Sequence, residues 1–93
     1  MDQNSISERL EALPGWRQEG DHITKTYKFA DFAAAFEFMK AVAGVAESIN
    51  HHPDWTNVYN TVEARLTSHE AGGLSNADFE LAAEMNRLSG QAT

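Results

Sequence analysis

The 93-residue chain has the length of one domain, and 42% hydrophobic residues supply a single core while arguing against disorder. It contains no cysteine, which excludes disulfide frameworks, thiolate zinc sites, iron–sulfur clusters and thiol nucleophiles. Seven Lys and Arg against fourteen Asp and Glu leave a formal charge of −7, which disfavours phosphate-directed nucleic-acid binding and anionic membrane surfaces.

The opening Met1-Asp2-Gln3-Asn4-Ser5 has neither a cationic nor an apolar region, so no secretory signal is expected. The longest apolar run, 41–46, includes Gly44 and is too short to span a bilayer. A cytoplasmic protein is expected.

A short helix is predicted over 5–13. Ser5 and Glu8 have capping-box spacing, Ile6, Leu10 and Leu13 recur at helical intervals, and Pro14-Gly15 ends the segment. Two strands follow, 16–19 and 23–29, joined through Gly20-Asp21. Ile23, Tyr27 and Phe29 share one face of the second, with Thr24, Thr26 and Lys28 opposite. Lys25 interrupts the apolar face, which places a sheet edge there. Asp31 is a good N-cap for the longest helix, whose stripe is Phe32, Ala35, Phe36, Met39, Val42, Ala43, Ala46 and Ile49. Pro53 disfavours helical geometry at His52, so this helix stops near Asn50 or His51. Gly44 inside it suggests close packing against another backbone.

A second β region spans 55–67, with Val58, Val62, Ala64 and Leu66 on one face. Tyr59-Asn60 either divides it into two strands or lies within one. Gly72-Gly73 makes a loop. Ser75 caps a last helix with Asp78 at its third position. Ala77, Leu81, Met85 and Leu88 form the buried stripe, and Gly90 ends the helix. The whole chain, 1–93, is read as one α+β domain, an antiparallel sheet covered by helices on one face.

Four histidines carry the candidate chemistry. His22 sits in a hairpin turn beside Asp21 and faces water. His51 and His52 end the long helix, and Glu47 stands four residues before His51, on the same helix face. That carboxylate can orient the His51 ring and select its tautomer. His69 follows the second β region, next to Glu70 and before the Gly72-Gly73 loop, and strand-end loops are common catalytic positions. Glu–His pairs at this spacing also decorate ordinary helix surfaces, and the Ser75–Asp78 pair is fully explained as a cap. Glu47, His51, His52 and His69 offer a zinc ligand set. Adjacent histidines seldom both reach one ion, so acid–base chemistry ranks above metal binding.

Glu47-x-x-x-His51-His52-Pro53, Tyr59 six residues after the proline, His69 ten later and Asp78 nine beyond together resemble the signature of the pterin-4a-carbinolamine dehydratases. Trp16, Asp31-Phe32, Asp54-Trp55-x-Asn57-Val58-Tyr59-Asn60 and Thr67-Ser68-His69-Glu70 before Gly72-Gly73-Leu74-Ser75 agree with it, so that the resemblance covers about 5–88. It implies a four-stranded antiparallel sheet with three helices on one face, and a homodimer or homotetramer. It also implies a lyase that dehydrates 4a-hydroxytetrahydropterins to quinonoid dihydropterins plus water, in support of aromatic amino-acid hydroxylation. No metal or organic cofactor is expected.

By the same resemblance the catalytic set is His51, His52, His69 and Glu47. Substrate contacts map to Asn50, His51, His52, Thr67, Ser68, His69 and Glu70, with Asn50 standing where some relatives carry an acid. In this reading His51 and His69 flank the pterin as acid and base, His52 positions the ring and Glu47 orients His51. Trp55 and Tyr59 serve as walls or fold supports. The competing class is a protein-binding role as dimerisation cofactor of a transcriptional regulator. A third is a pterin-binding domain without turnover.

Overall fold

Four antiparallel strands, in the sheet order Arg17–Glu19, His22–Lys28, Thr61–Leu66 and Asp54–Val58, organise the computed structural model, which describes residues 1–91. The last two residues of the expected 1–93 domain lie outside the described residues. The elements run α1 (Gln3–Glu11), β1 (Arg17–Glu19), β2 (His22–Lys28), α2 (Phe32–Ile49), β3 (Asp54–Val58), β4 (Thr61–Leu66), a 3-10 turn (His69–Ala71) and α3 (Asn76–Ser89). The α+β architecture expected from sequence is the one found, with four strands and three helices.

Strand alternation divides the sheet into two faces. Ile23, Tyr27, Val62, Ala64 and Leu66 are buried beneath the helices, together with Phe38 and Val42 of α2 and Leu81 and Met85 of α3. Tyr27, Phe29 and Phe38 form an aromatic cluster, the Tyr27 and Phe38 rings lying 4.8 Å apart and those of Phe29 and Phe38 5.0 Å apart. The opposite face is polar, carrying Thr26, Glu63, Arg65 and Thr56 in the open.

Several local expectations change. Helix α1 begins at Gln3 because Asp2, not Ser5, caps it, its carboxylate accepting the Ser5 N–H at 2.8 Å. Strand β2 lies between β1 and β4, so Lys25 marks no edge. Its ammonium is buried and donates to Pro14 O and Asn86 Oδ1, both at 2.8 Å, and stands 4.6 Å from the Tyr27 ring centroid. Asn86 Oδ1 also accepts from Tyr27 Oη (2.6 Å) and Trp16 Nε1 (3.2 Å). The buried cation is thus held by neutral oxygens and an aromatic face, as burial of a charge requires.

On α2 the expected stripe holds at Ala35, Met39, Val42, Ala46 and Ile49 and shifts along one edge. Phe38 enters the core, whereas Phe32 and Phe36 are each about half exposed, their rings 5.7 Å apart, and Ala43 is exposed. Gly44 is also exposed, and a Cβ there would meet nothing within 4 Å, so close packing does not explain it. Tyr59-Asn60 divides the second β region. The chain reverses there, Val58 pairs with Thr61, and Val58 points away from the core instead of joining Val62. Ser75 and Asp78 form the expected capping box. His22 is three-quarters buried and its Nδ1 meets the Asp21 carboxylate at 2.7 Å, so it does not simply face water.

Candidate functional site

Two chain reversals build the site. Helix α2 ends because Asn50 adopts the left-handed conformation (φ 52°, ψ 45°), which asparagine tolerates better than most residues. The Asn50 N–H then reaches Glu47 O at 3.3 Å and the His51 N–H reaches Ala46 O at 3.0 Å, a Schellman pattern that satisfies the last carbonyls. Pro53 prevents the helix from resuming. His51 and His52 therefore leave the helix axis together.

The second reversal follows β4. Ser68 and Gly73 form an isolated bridge, with Ser68 N–H to Gly73 O at 3.0 Å and Gly73 N–H to Ser68 O at 3.2 Å. The turn carrying His69 and Glu70 is held between them, and Gly72 closes it at φ 72°. Thr67 Oγ1 donates to Asp21 O at 2.7 Å, fixing the base of this excursion to the β1–β2 hairpin.

The two reversals face each other across a cleft of about 460 Å³. Asn50, His51, His52, Thr67, Ser68, His69 and Glu70 all line it, with Ser75 and Ala77 at the start of α3. Three imidazoles from two segments remote in sequence thus share one opening of the size that small-molecule sites commonly have. Trp55 and Tyr59 do not line it. Tyr59 is exposed in its hairpin, and Trp55 lies beside a second cleft of about 340 Å³ with Arg17, Thr24, Asp54 and Arg65. That second cleft contains no imidazole.

Carboxylate partners differ from the expected ones. Glu47 does not hold His51; its Oε2 lies 2.5 Å from His52 Nε2, both groups being largely exposed. The spacing rule fails because it assumes a continuous helix, and the left-handed Asn50 swings His51 away and returns His52 toward Glu47. His51 is held instead by Asp78, whose Oδ1 lies 2.6 Å from His51 Nε2. Asp78 is fully buried, and its Oδ2 accepts from Ser68 Oγ (2.8 Å) and from the Ser75 N–H (2.9 Å).

Asp78 is the residue that the reading of motifs left as a helix cap. The cap accounts for one carboxylate oxygen only, and the available signal is the place of Asp78 beside the histidines in the signature above. With the carboxylate as acceptor, the pattern places the proton on His51 Nε2 and leaves Nδ1 as the nitrogen open to proton exchange. Among the described residues no three His, Asp or Glu side chains come together as a metal-ligand group, and no helix is long and apolar enough to cross a membrane.

The family model for pterin 4 alpha carbinolamine dehydratase matches residues 1–88. A relative from Rhodopseudomonas palustris (strain HaA2), provisionally named a pterin-4-alpha-carbinolamine dehydratase, is 52% identical over 84 residues, covering 88% of this chain and 83% of its own. One from Rhizobium meliloti (strain 1021), with the same provisional name, is 46% identical over 91 residues, 96% of this chain and 88% of its own. The crystal structure of a transcriptional coactivator/pterin dehydratase from Brucella melitensis superposes with a TM-score of 0.95 at 38% identity, covering 97% of this chain and 98% of that one. A pterin dehydratase-like RuBisCO assembly factor of the alpha-carboxysome shares the fold, with a TM-score of 0.72 at 23% identity over 84% of this chain and 93% of its own.

Proposed function

This chain belongs to the pterin-4-alpha-carbinolamine dehydratase family, and from that premise we propose that it is a lyase acting on 4a-hydroxytetrahydropterins, with histidines as the acid and base. The observation that carries this reading is the shared cleft of His51, His52 and His69. The reaction delivers a proton to the 4a oxygen and breaks the C4a–O bond. It removes the proton on N5, whose electron pair forms the C4a=N5 bond, so that water and a quinonoid dihydropterin leave. Imidazole titrates near neutrality and can serve at either position.

In this proposal His51 and His69 exchange the protons, and His52 binds the ring. Asp78 is the positioning residue for His51, and Glu47 for His52. Asn50, Thr67 and Glu70 supply polar contacts, and Ser68 lines the cleft beside them. The reaction asks for two proton transfers, and no metal or organic cofactor is assigned a part. In the test, a freshly generated 4a-hydroxypterin is followed by ultraviolet absorbance, with and without a chelator. Turnover by the wild type, insensitive to the chelator, and losses on the order of 10²-fold in folded His51→Ala and His69→Ala would support the reading. Wild-type rates in both variants would overturn it.

A second reading is a protein-binding role as cofactor of a transcriptional regulator. It is favoured by the exposed Phe32–Phe36 pair on α2 and by the coactivator part of the Brucella protein's name. The same apolar face suits a second copy of the chain, and a homodimer or homotetramer is part of the proposal. Sedimentation would give a single assembled species in the wild type and a shift toward monomer in Phe32→Ser/Phe36→Ser; a monomeric wild type would remove the oligomer.

A further inference from the structure

We propose that Ser68 is a positioning residue that ties the orientation of His51 to the turn carrying His69. This rests on the dehydratase reading above. Ser68 is a neighbour of His69 in the chain, and a line of the cleft at first sight. Its hydroxyl, however, is committed elsewhere. The side chain is buried, and Oγ lies 2.8 Å from Asp78 Oδ2 and 2.6 Å from Ser75 Oγ.

One assignment of protons satisfies these contacts. Ser75 Oγ accepts the Asp78 N–H in the capping box, so it has its own proton to give to Ser68 Oγ. Ser68 Oγ then donates to Asp78 Oδ2. Asp78 Oδ1 remains to accept from His51 Nε2. The hydroxyl of Ser68 is thus, with the Ser75 N–H, one of two donors that fix the carboxylate plane against which the His51 ring is set. The backbone of the same residue forms both hydrogen bonds of the bridge to Gly73, which determines where the His69 turn departs. One residue registers both acid–base groups: its side chain acts through Asp78 on His51, and its main chain acts on His69. A Ser68 that only contacted pterin would influence binding of the substrate and leave the imidazole of the free protein unchanged.

The test measures the free protein and the reaction separately. In the ligand-free protein, ¹⁵N-resolved NMR of the His51 imidazole reads its tautomer, and steady-state kinetics with a 4a-hydroxypterin read kcat and KM. Wild type is expected to show the Nε2–H form. Ser68→Ala is expected to lose that preference and about 10-fold in kcat, as for other outer supports of reactive groups, with KM within about 2-fold. Ser68→Thr, which keeps the hydroxyl, should restore both. Should Ser68→Ala not fold, Ser68→Cys replaces it, with the same shifts expected because a thiol is a weak donor. An unchanged His51 spectrum and unchanged kcat would overturn the proposal, as would a loss confined to KM. A wild type without turnover would sink the dehydratase reading and leave the spectrum to decide on Ser68.

Discussion

The chain contains two imidazole–carboxylate pairs of nearly equal length, His51–Asp78 at 2.6 Å and His52–Glu47 at 2.5 Å, in opposite surroundings. The Asp78 side chain is wholly buried and that of Glu47 is 77% exposed. Distance alone does not rank them. In the exposed pair, water competes for both partners and two mobile side chains must be ordered for little gain. In the buried pair, every hydrogen bond of the carboxylate is fixed, and removing one leaves a polar group without a substitute. The lesson is that a carboxylate orients an imidazole to the extent that something else orients the carboxylate.

The sharpest way to break this contrast is Asp78→Asn. An amide can turn its NH₂ toward His51 Nε2, which would move the ring proton to Nδ1 and withdraw the nitrogen assigned to proton exchange. The expected loss is on the order of 10²-fold in kcat by the absorbance assay, with folding retained by circular dichroism. A near-wild-type rate would mean that burial of Asp78 has no bearing on the reaction. Glu47→Gln, the exposed counterpart, should stay within about 3-fold in the same assay. A larger loss would show that exposure is a poor guide here.

Between these two in expected effect stands a buried polar group remote from the cleft, the Lys25–Tyr27–Asn86 cluster. Asn86→Leu would leave Lys25 and Tyr27 without their shared acceptor and should cost about 1–3 kcal/mol in denaturant unfolding. Burial lowers the Lys25 ammonium below its usual 10.5 and raises the Tyr27 phenol above its usual 10.0. For Lys25 the unfolded chain binds more protons as pH approaches 10.5, so its contribution rises with pH up to that point. For Tyr27 the folded chain keeps the proton longer, so stability falls with pH above about 10. A urea series across this range should show the fall in wild type and a shallower fall in Tyr27→Phe. Equal slopes would contradict the burial argument.

Much of the fold was legible because its signals are local. Asp31 and Ser75 cap helices where their side chains have main-chain partners three residues away, and the alternation of Val62, Ala64 and Leu66 gives β4 its inner face. One edge of the α2 stripe differs from expectation because Phe32, Phe36 and Phe38 offer two apolar edges, and periodicity cannot say which one meets the sheet. The setting of Lys25 is not legible in sequence, because its partner Asn86 is distant along the chain and only the fold brings it and Pro14 O to the ammonium. The same reason separates what was found of the site from what was missed. The residues lining the cleft could be named from their motifs, whereas the Glu47 and Asp78 pairings depend on a left-handed residue and on how α3 docks.

Asn50 extends that point to the genetics of the site. Its backbone lies in a region that strongly favours glycine, asparagine and aspartate, and the exit path of both histidines depends on it. Randomising that codon would first select for a polypeptide able to make the bend. Survivors would report on main-chain sterics, and any preference for a ligand could be read only among the few side chains that pass.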